Sequence, residues 1–198
     1  MKTSRSLLLA ISIFFTLSSA RATTVIPPTF DELVSQAELI FQGTVTDVKS
    51  QWTGEGAQRH IVSFVTFKVD EQIKGDAGVS YTLRMMGGTV GDDTMEVSDS
   101  PKFTRGDRDI LFVENNGRQF IPLVGISHGR FHVKRDSESG EDLVVGDRGE
   151  AVGDLSKLGK EEAPAAAGPS TNAQPTAALR PAAFKAAIRA KLAAAPTR

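Results

Sequence analysis

The chain has 198 residues and no cysteine. That absence removes disulfides, thiolate zinc sites, a cysteine nucleophile and lipoprotein anchoring together. Stability must then come from an ordinary apolar core. Histidine is scarce, with His60, His128 and His132 the only three, and Trp52 and Tyr81 are the single Trp and the single Tyr. No apolar run reaches the about 20 residues a spanning helix needs. The formal net charge of −1 is small but unevenly spread. Residues 23 to 150 carry 13 Lys/Arg against 21 Asp/Glu, a net of −8, whereas residues 151 to 198 carry 7 against 3, a net of +4. An acidic body argues against nucleic acid as its partner, because phosphate binding needs a basic surface. The basic tail is expected to dock on that body.

The opening of the chain has a recognisable shape. Lys2 and Arg5 precede an 11-residue apolar run at 7 to 17, and Ala20-Arg21-Ala22 follows as a small-residue cleavage site. This reads as a secretory signal peptide over residues 1 to 22, with a mature chain starting at Thr23 and exported to periplasm or medium.

Local patterning then predicts a mainly β domain over residues 23 to 150. Thr29 and Glu32 form a capping box, and Phe30, Leu33, Val34 and Ala37 share one face of a short helix over 30 to 37. Strands are expected at 39 to 48, with a bulge at Gly43, and at 60 to 73, where Ile61, Val65, Phe67 and Val69 alternate. A third strand is expected at 79 to 86, followed by a Gly-rich loop at 87 to 93 and a short strand near 94 to 97. Asn116-Gly117 suits a type I′ turn between strands at 109 to 115 and 118 to 124. A last hairpin joins 129 to 136 with 141 to 147. Short strands with regular turns point to a small antiparallel barrel or sandwich. Residues 151 to 179 are Ala/Pro-rich and are expected to be a disordered linker. Residues 180 to 196 read as a basic amphipathic helix, with Phe184, Ile188 and Leu192 in line and Lys185 and Arg189 off that line.

Five candidate sites were weighed on their residues. Gly125-Ile126-Ser127-His128-Gly129 fits the G-x-S-x-G pattern of a serine hydrolase. A nucleophile elbow needs a helix after Ser and a His far downstream. Here "RFHVKRD" alternates like a strand, and His128 and His132 follow Ser127 too closely, so the pentapeptide reads as a turn. His128 and His132 would lie about 13 Å apart on a strand, at about 3.3 Å per residue, which disfavours a zinc pair. Gly87 to Gly91 lacks the Lys-Ser/Thr and helix of a phosphate loop, and Asp92 and Asp93 would repel an anion. Those two carboxylates lack the ligand spacing of a calcium loop. Trp52, beside the "TGEG" loop, is a candidate contact residue. The residues therefore predict no catalytic group, no metal and no cofactor, with Trp52, Asp92 and Asp93 as candidate binding residues.

Three stretches carry a family likeness. "LVSQAELIFQGTVTDV", "VTFKVDEQIKGD" and "FTRGDRDILFV" resemble uncharacterised exported bacterial proteins with a TIMP/netrin-like, OB-type barrel. The likeness runs from about residue 29 to 135, and "VGISHGRFHV" fits its next segment. It implies a small OB-like barrel with a short N-terminal helix. Tissue inhibitors of metalloproteinases in that fold group place an N-terminal Cys on the protease zinc, and this chain has none. The expectation is a non-enzymatic exported binding module for a protein or cell-envelope partner, using loops 52 to 58 and 87 to 99. The alternatives are a protease inhibitor acting through residues 23 to 28, and a hydrolase using Ser127 with His132 or His60. Membrane contact by the C-terminal helix is not expected, because its apolar face is only three large residues wide.

Overall fold

Two long strands, β1 (Leu39–Thr53) and β2 (His60–Lys74), form an antiparallel hairpin that organises the molecule. Both are rich in Val, Ile, Phe and Thr, whose branched or flat side chains suit a pleated surface. The computed structural model describes residues 26 to 160 and 178 to 194. The expected signal peptide, most of the expected linker and residues 195 and 196 of the tail lie outside the described residues.

β1 does not run straight. Its register against β2 shifts at Ile40/Phe41, at Gln42/Gly43 and between Val45 and Asp47. A Cβ at Gly43 would lie 2.9 Å from the Lys68 carbonyl oxygen and 3.0 Å from the Phe41 ring, so only glycine allows this approach. The first half of β1 also pairs with β6 (Arg108–Val113), from Leu39 to Thr44. β3 (Ser80–Met86) pairs with β2, and β7 (Arg130–Arg135) joins β6 to β8 (Asp142–Gly146). The sheet order is β3-β2-β1-β6-β7-β8, all antiparallel. Among the described residues the two end strands do not pair, so the mainly β class is as expected while the sheet stays open.

Both edges are nevertheless occupied by the chain itself. On β3, Arg84 N donates to Asn116 Oδ1 (2.9 Å), Asn116 Nδ2 donates to the Thr82 carbonyl (2.8 Å) and to Tyr81 Oη (3.0 Å), and Met86 N donates to the Phe120 carbonyl (2.8 Å). On β8, Val144 N donates to the Leu179 carbonyl (2.8 Å), and Ala151 bridges Val145. This corrects the expected hairpin at Asn116-Gly117. β6 ends at Val113, residues 118 to 124 form no strand, and only Val113 and Leu123 bridge. Positive φ falls on Asn115 (50°) and Gly117 (82°). The Asn116 side chain serves the β3 edge, and that long-range contact overrides the local turn preference.

The sequence expectations need two smaller corrections. β1 continues past residue 48 to Thr53, because pairing with β2 carries its polar end. Residues 88 to 95 are not simply a loop: β4 (Gly88–Val90) and β5 (Asp93–Met95) form a two-stranded hairpin around Gly91 and Asp92.

The first half of β1, residues 39 to 45, and β6 are buried on both faces, and the period-two rule divides their side chains between two cores. Ile40, Ile110 and Phe112 face one layer with Phe131, Val133 and Val144. Phe41, Leu111 and Val113 face the other with Val65, Phe67, Leu83 and Met85. Two helices cover the first layer. α1 (Phe30–Gln36) has the expected capping box, with Glu32 N donating to Thr29 Oγ1 and Thr29 N donating to Glu32 Oε2. α2 (Pro181–Ala194) buries Phe184 and Ile188 completely. The Phe184 ring stands 4.9 Å from Phe131, 6.1 Å from Phe30 and 6.3 Å from Phe112, mostly in tilted or edge-on geometry. Lys185 and Arg189 both bind Glu71, Lys185 also donates to Gln42 Oε1, and Lys191 pairs with Asp31. The basic tail thus docks on the acidic body, as its charge implied. Among the described residues no helix is long and apolar enough to cross a membrane.

Phe184→Ala is expected to cost about 3–5 kcal/mol, read as a lower denaturation midpoint in urea. The Arg189 and Lys185 hydrogen bonds hold the Glu71 carboxyl below the ordinary glutamate value. A depressed folded value means that this stabilisation is complete above the unfolded value and fades as pH falls through the folded one. Melting curves of wild type and Glu71→Gln should therefore differ at neutral pH and converge in acid.

Candidate functional site

β3 ends at Met85-Met86, and Gly87 (φ 95°) turns the chain back across β1 and β2. Gly87 N donates to the Ile61 carbonyl (2.8 Å), and Ser63 Oγ donates to the Gly87 carbonyl (2.6 Å). At Gly88 (φ 135°) an added Cβ would lie 2.2 Å from Ser63 Oγ and 2.4 Å from Ser50 Oγ. Ser50 and Ser63 themselves share a hydrogen bond of 2.8 Å. No other residue type fits so close to that pair. The glycines expected to make a flexible loop instead pin the β4–β5 hairpin to the sheet.

Between this hairpin, the following segment to Phe103 and the upper ends of β1, β2 and β3 lies a groove of about 590 Å³. The strands contribute Val48, Val65, Met85 and Met86 to its lining, and the hairpin and loop contribute Met95, Val97, Pro101 and Phe103. Ser50, Ser63, Thr89 and Thr94 add hydroxyls. Thr89 Oγ1 and Thr94 Oγ1 bond each other at 3.0 Å across the hairpin.

The far wall is held from below by a buried charge. The Arg130 guanidinium lies 3.9 Å from the Phe103 ring centroid, while the Phe67 ring meets the same ring edge-on at 5.5 Å. Arg130 Nη1 donates to the Lys102 carbonyl (2.8 Å), and Nη2 donates to Asp107 (2.8 Å) and Asp109 (3.0 Å). Asp147 stands 3.7 Å away. The Arg130 side chain is 2% exposed and that of Asp109 is 0% exposed. Such burial is costly unless the donors and acceptors are met, and arginine alone combines a planar face with five donors. The other Asp109 oxygen approaches His132 Nδ1 to 2.7 Å but has no aligned hydrogen-bond partner.

The residues singled out from sequence are dispersed. Trp52 sits half-buried at the far end of β1, with the Arg59 guanidinium 4.1 Å over its ring, and does not line the groove. Asp92 and Asp93 are exposed at the tip of the hairpin that forms one side of the groove. Ser127 lies in a 3-10 turn, Ile126–Gly129, and strand β7 rather than a helix follows it. Gly125 (φ 63°) and Ile126 (φ 64°) enter that turn in succession. His132 Nδ1 only approaches Asp109, His60 Nδ1 bonds the Gln58 carbonyl at 2.7 Å, and burial pushes the His128 imidazole below its ordinary value. Among the described residues no three His, Asp or Glu side chains gather as metal ligands.

Met85, Met86, Met95, Phe103 and Arg130 were not foreseen. One signal was present: all methionines after Met1 fall between positions 85 and 95. Family models, curated proteins and solved structures give no match to this chain.

Arg130→Met leaves Asp109 buried beside an uncompensated space and should cost about 3–5 kcal/mol. Adding Asp109→Val should restore most of that loss, measured by a double-mutant cycle in denaturant. Equal losses in the single and double variants would show that Arg130 acts through shape alone.

Proposed function

We propose that this chain is an exported, non-enzymatic binding module for a protein or cell-envelope partner, and that the groove beside the β4–β5 hairpin is its contact surface. The observation that carries the reading is a pre-formed groove of mixed lining, apolar side chains beside hydroxyl and charged groups, whose two sides are fixed by Gly87-Gly88 on Ser50 and Ser63 and by Phe103 on Arg130. Ligand sites are typically concave, mainly apolar and pre-formed, with a few polar groups. The occupied outer edges of β3 and β8 count against strand addition as the binding mode. We also read the open sheet as a derivative of an OB-type barrel. Support comes from β1, which is long, bulged at Gly43, and paired with β2 along its length but with β6 only over Leu39 to Thr44.

Val48 is 39% exposed and lines the groove, so Val48→Arg fills it at small cost to the core. A partner captured from envelope and secreted fractions by the wild-type chain should be lost with this variant, while the melting temperature stays within a few degrees. Retention of the same partner at the same yield would move the contact surface elsewhere.

A further inference from the structure

We infer that the groove's partner is a basic, apolar peptide segment, in which Lys or Arg side chains stand beside Leu- or Ile-like ones. The inference rests on the groove being the contact surface. Its first support is the lining. Met85, Met86 and Met95 bring unbranched thioethers to one cavity, and such side chains accommodate apolar partners of varied shape.

Charge around the opening supplies the second support. Asp92 and Asp93 lie at the hairpin tip, and Asp99 and Glu96 line the groove on the following loop. Lys102, on the same rim, pairs with Glu96 at 3.1 Å. Asp99 makes no ion pair among the described residues, and neither do Asp92 and Asp93 at the hairpin tip just beyond the lining residues Thr89 and Thr94, so carboxylates outnumber cations on this side of a groove whose lining is part apolar and part polar. A partner that left these carboxylates facing apolar or acidic groups would desolvate or repel them, whereas Lys or Arg at its edges would meet them. With the basic tail docked, residues 23 to 198 still carry a net of −4, from −8 and +4, which adds a modest long-range attraction for the same partner.

The docked basic helix α2 is not the occupant. In α2, Lys185 and Arg189 are held by Glu71 and Lys191 by Asp31, and Phe184 and Ile188 are buried in the other core layer. We therefore assign the groove to a separate molecule and not to α2.

Three short fluorescent peptides test this by anisotropy: alternating Leu and Lys, Leu and Ser, and Leu and Glu. The Leu/Lys peptide should bind about tenfold tighter than the Leu/Glu peptide, with the advantage shrinking as salt rises. The triple variant Asp92→Asn, Asp93→Asn, Asp99→Asn should erase that advantage and keep the weaker binding shared with the Leu/Ser peptide. Val48→Arg should remove binding of all three, with an unchanged circular dichroism spectrum. Equal affinity for the Leu/Lys and Leu/Ser peptides would overturn the charge preference and leave the groove reading standing. Leu/Lys binding unaffected by Val48→Arg would mean attraction to the acidic body at large, and would overturn the inference. If no peptide bound the wild type, the basic-peptide inference would fall, and loss or retention of the captured partner in Val48→Arg would decide the groove reading separately.

Discussion

Arg130 is the charge around which this fold is arranged. It starts β7, reaches across to Asp109 on the neighbouring β6, and ties the 102 to 107 segment down through a carbonyl, a carboxylate and an aromatic face. A buried guanidinium is tolerated only where its donors converge on fixed acceptors, so its presence sets the relative positions of three separate chain segments. The loop after β5 has few apolar anchors of its own, chiefly Pro101 and Phe103. Without the arginine, Phe103 would lose one of the two partners that hold its ring, and one side of the groove would be free to move.

The second constraint is the double burial of β6 and the first half of β1. A strand with one wet face can slip without great penalty on that side, but one whose alternate residues feed two cores cannot. Ile40 and Phe41, or Leu111 and Phe112, would exchange layers with a one-residue slip. The layer on the helix side needs α1 and α2 as a cover, and the other needs the hairpin, the 96 to 103 segment and the loop after β6. The sheet can remain open because its outer strands are protected by pieces of its own chain, Asn116 on one side and Leu179 on the other.

Much of this was legible in local pattern, and the misses share one cause. Thr29 and Glu32 signalled α1, the alternation of Val65, Phe67 and Val69 signalled β2, and Pro181 with spaced Phe184 and Ile188 signalled α2. Each depends on neighbours within a few residues. Asn116 was misread because its role depends on Arg84 and Thr82, over 30 positions earlier. The Gly-rich segment reads as a loop in sequence because Ser50 and Ser63, which require Gly88 to lack a side chain, lie far back in the chain. Trp52 drew attention by rarity alone, yet lies away from the groove. Arg130 left no local trace, since a buried arginine looks like a surface one until Asp107, Asp109 and Phe103 are brought around it. The methionine cluster was the one long-range feature written plainly, because its three members are close in sequence as well as in space.

The place of Phe184 in the core has a consequence for the order of events during synthesis. Phe112 and Phe131 have been made long before residue 184, and until then one side of their layer has no cover. The helix-side layer therefore cannot close strand by strand as the chain emerges, because Phe184 and Ile188 follow the last strand of the sheet. Docking of α2 converts an open, partly exposed sheet into a finished body, so the cooperative step belongs to the whole chain and not to its first half.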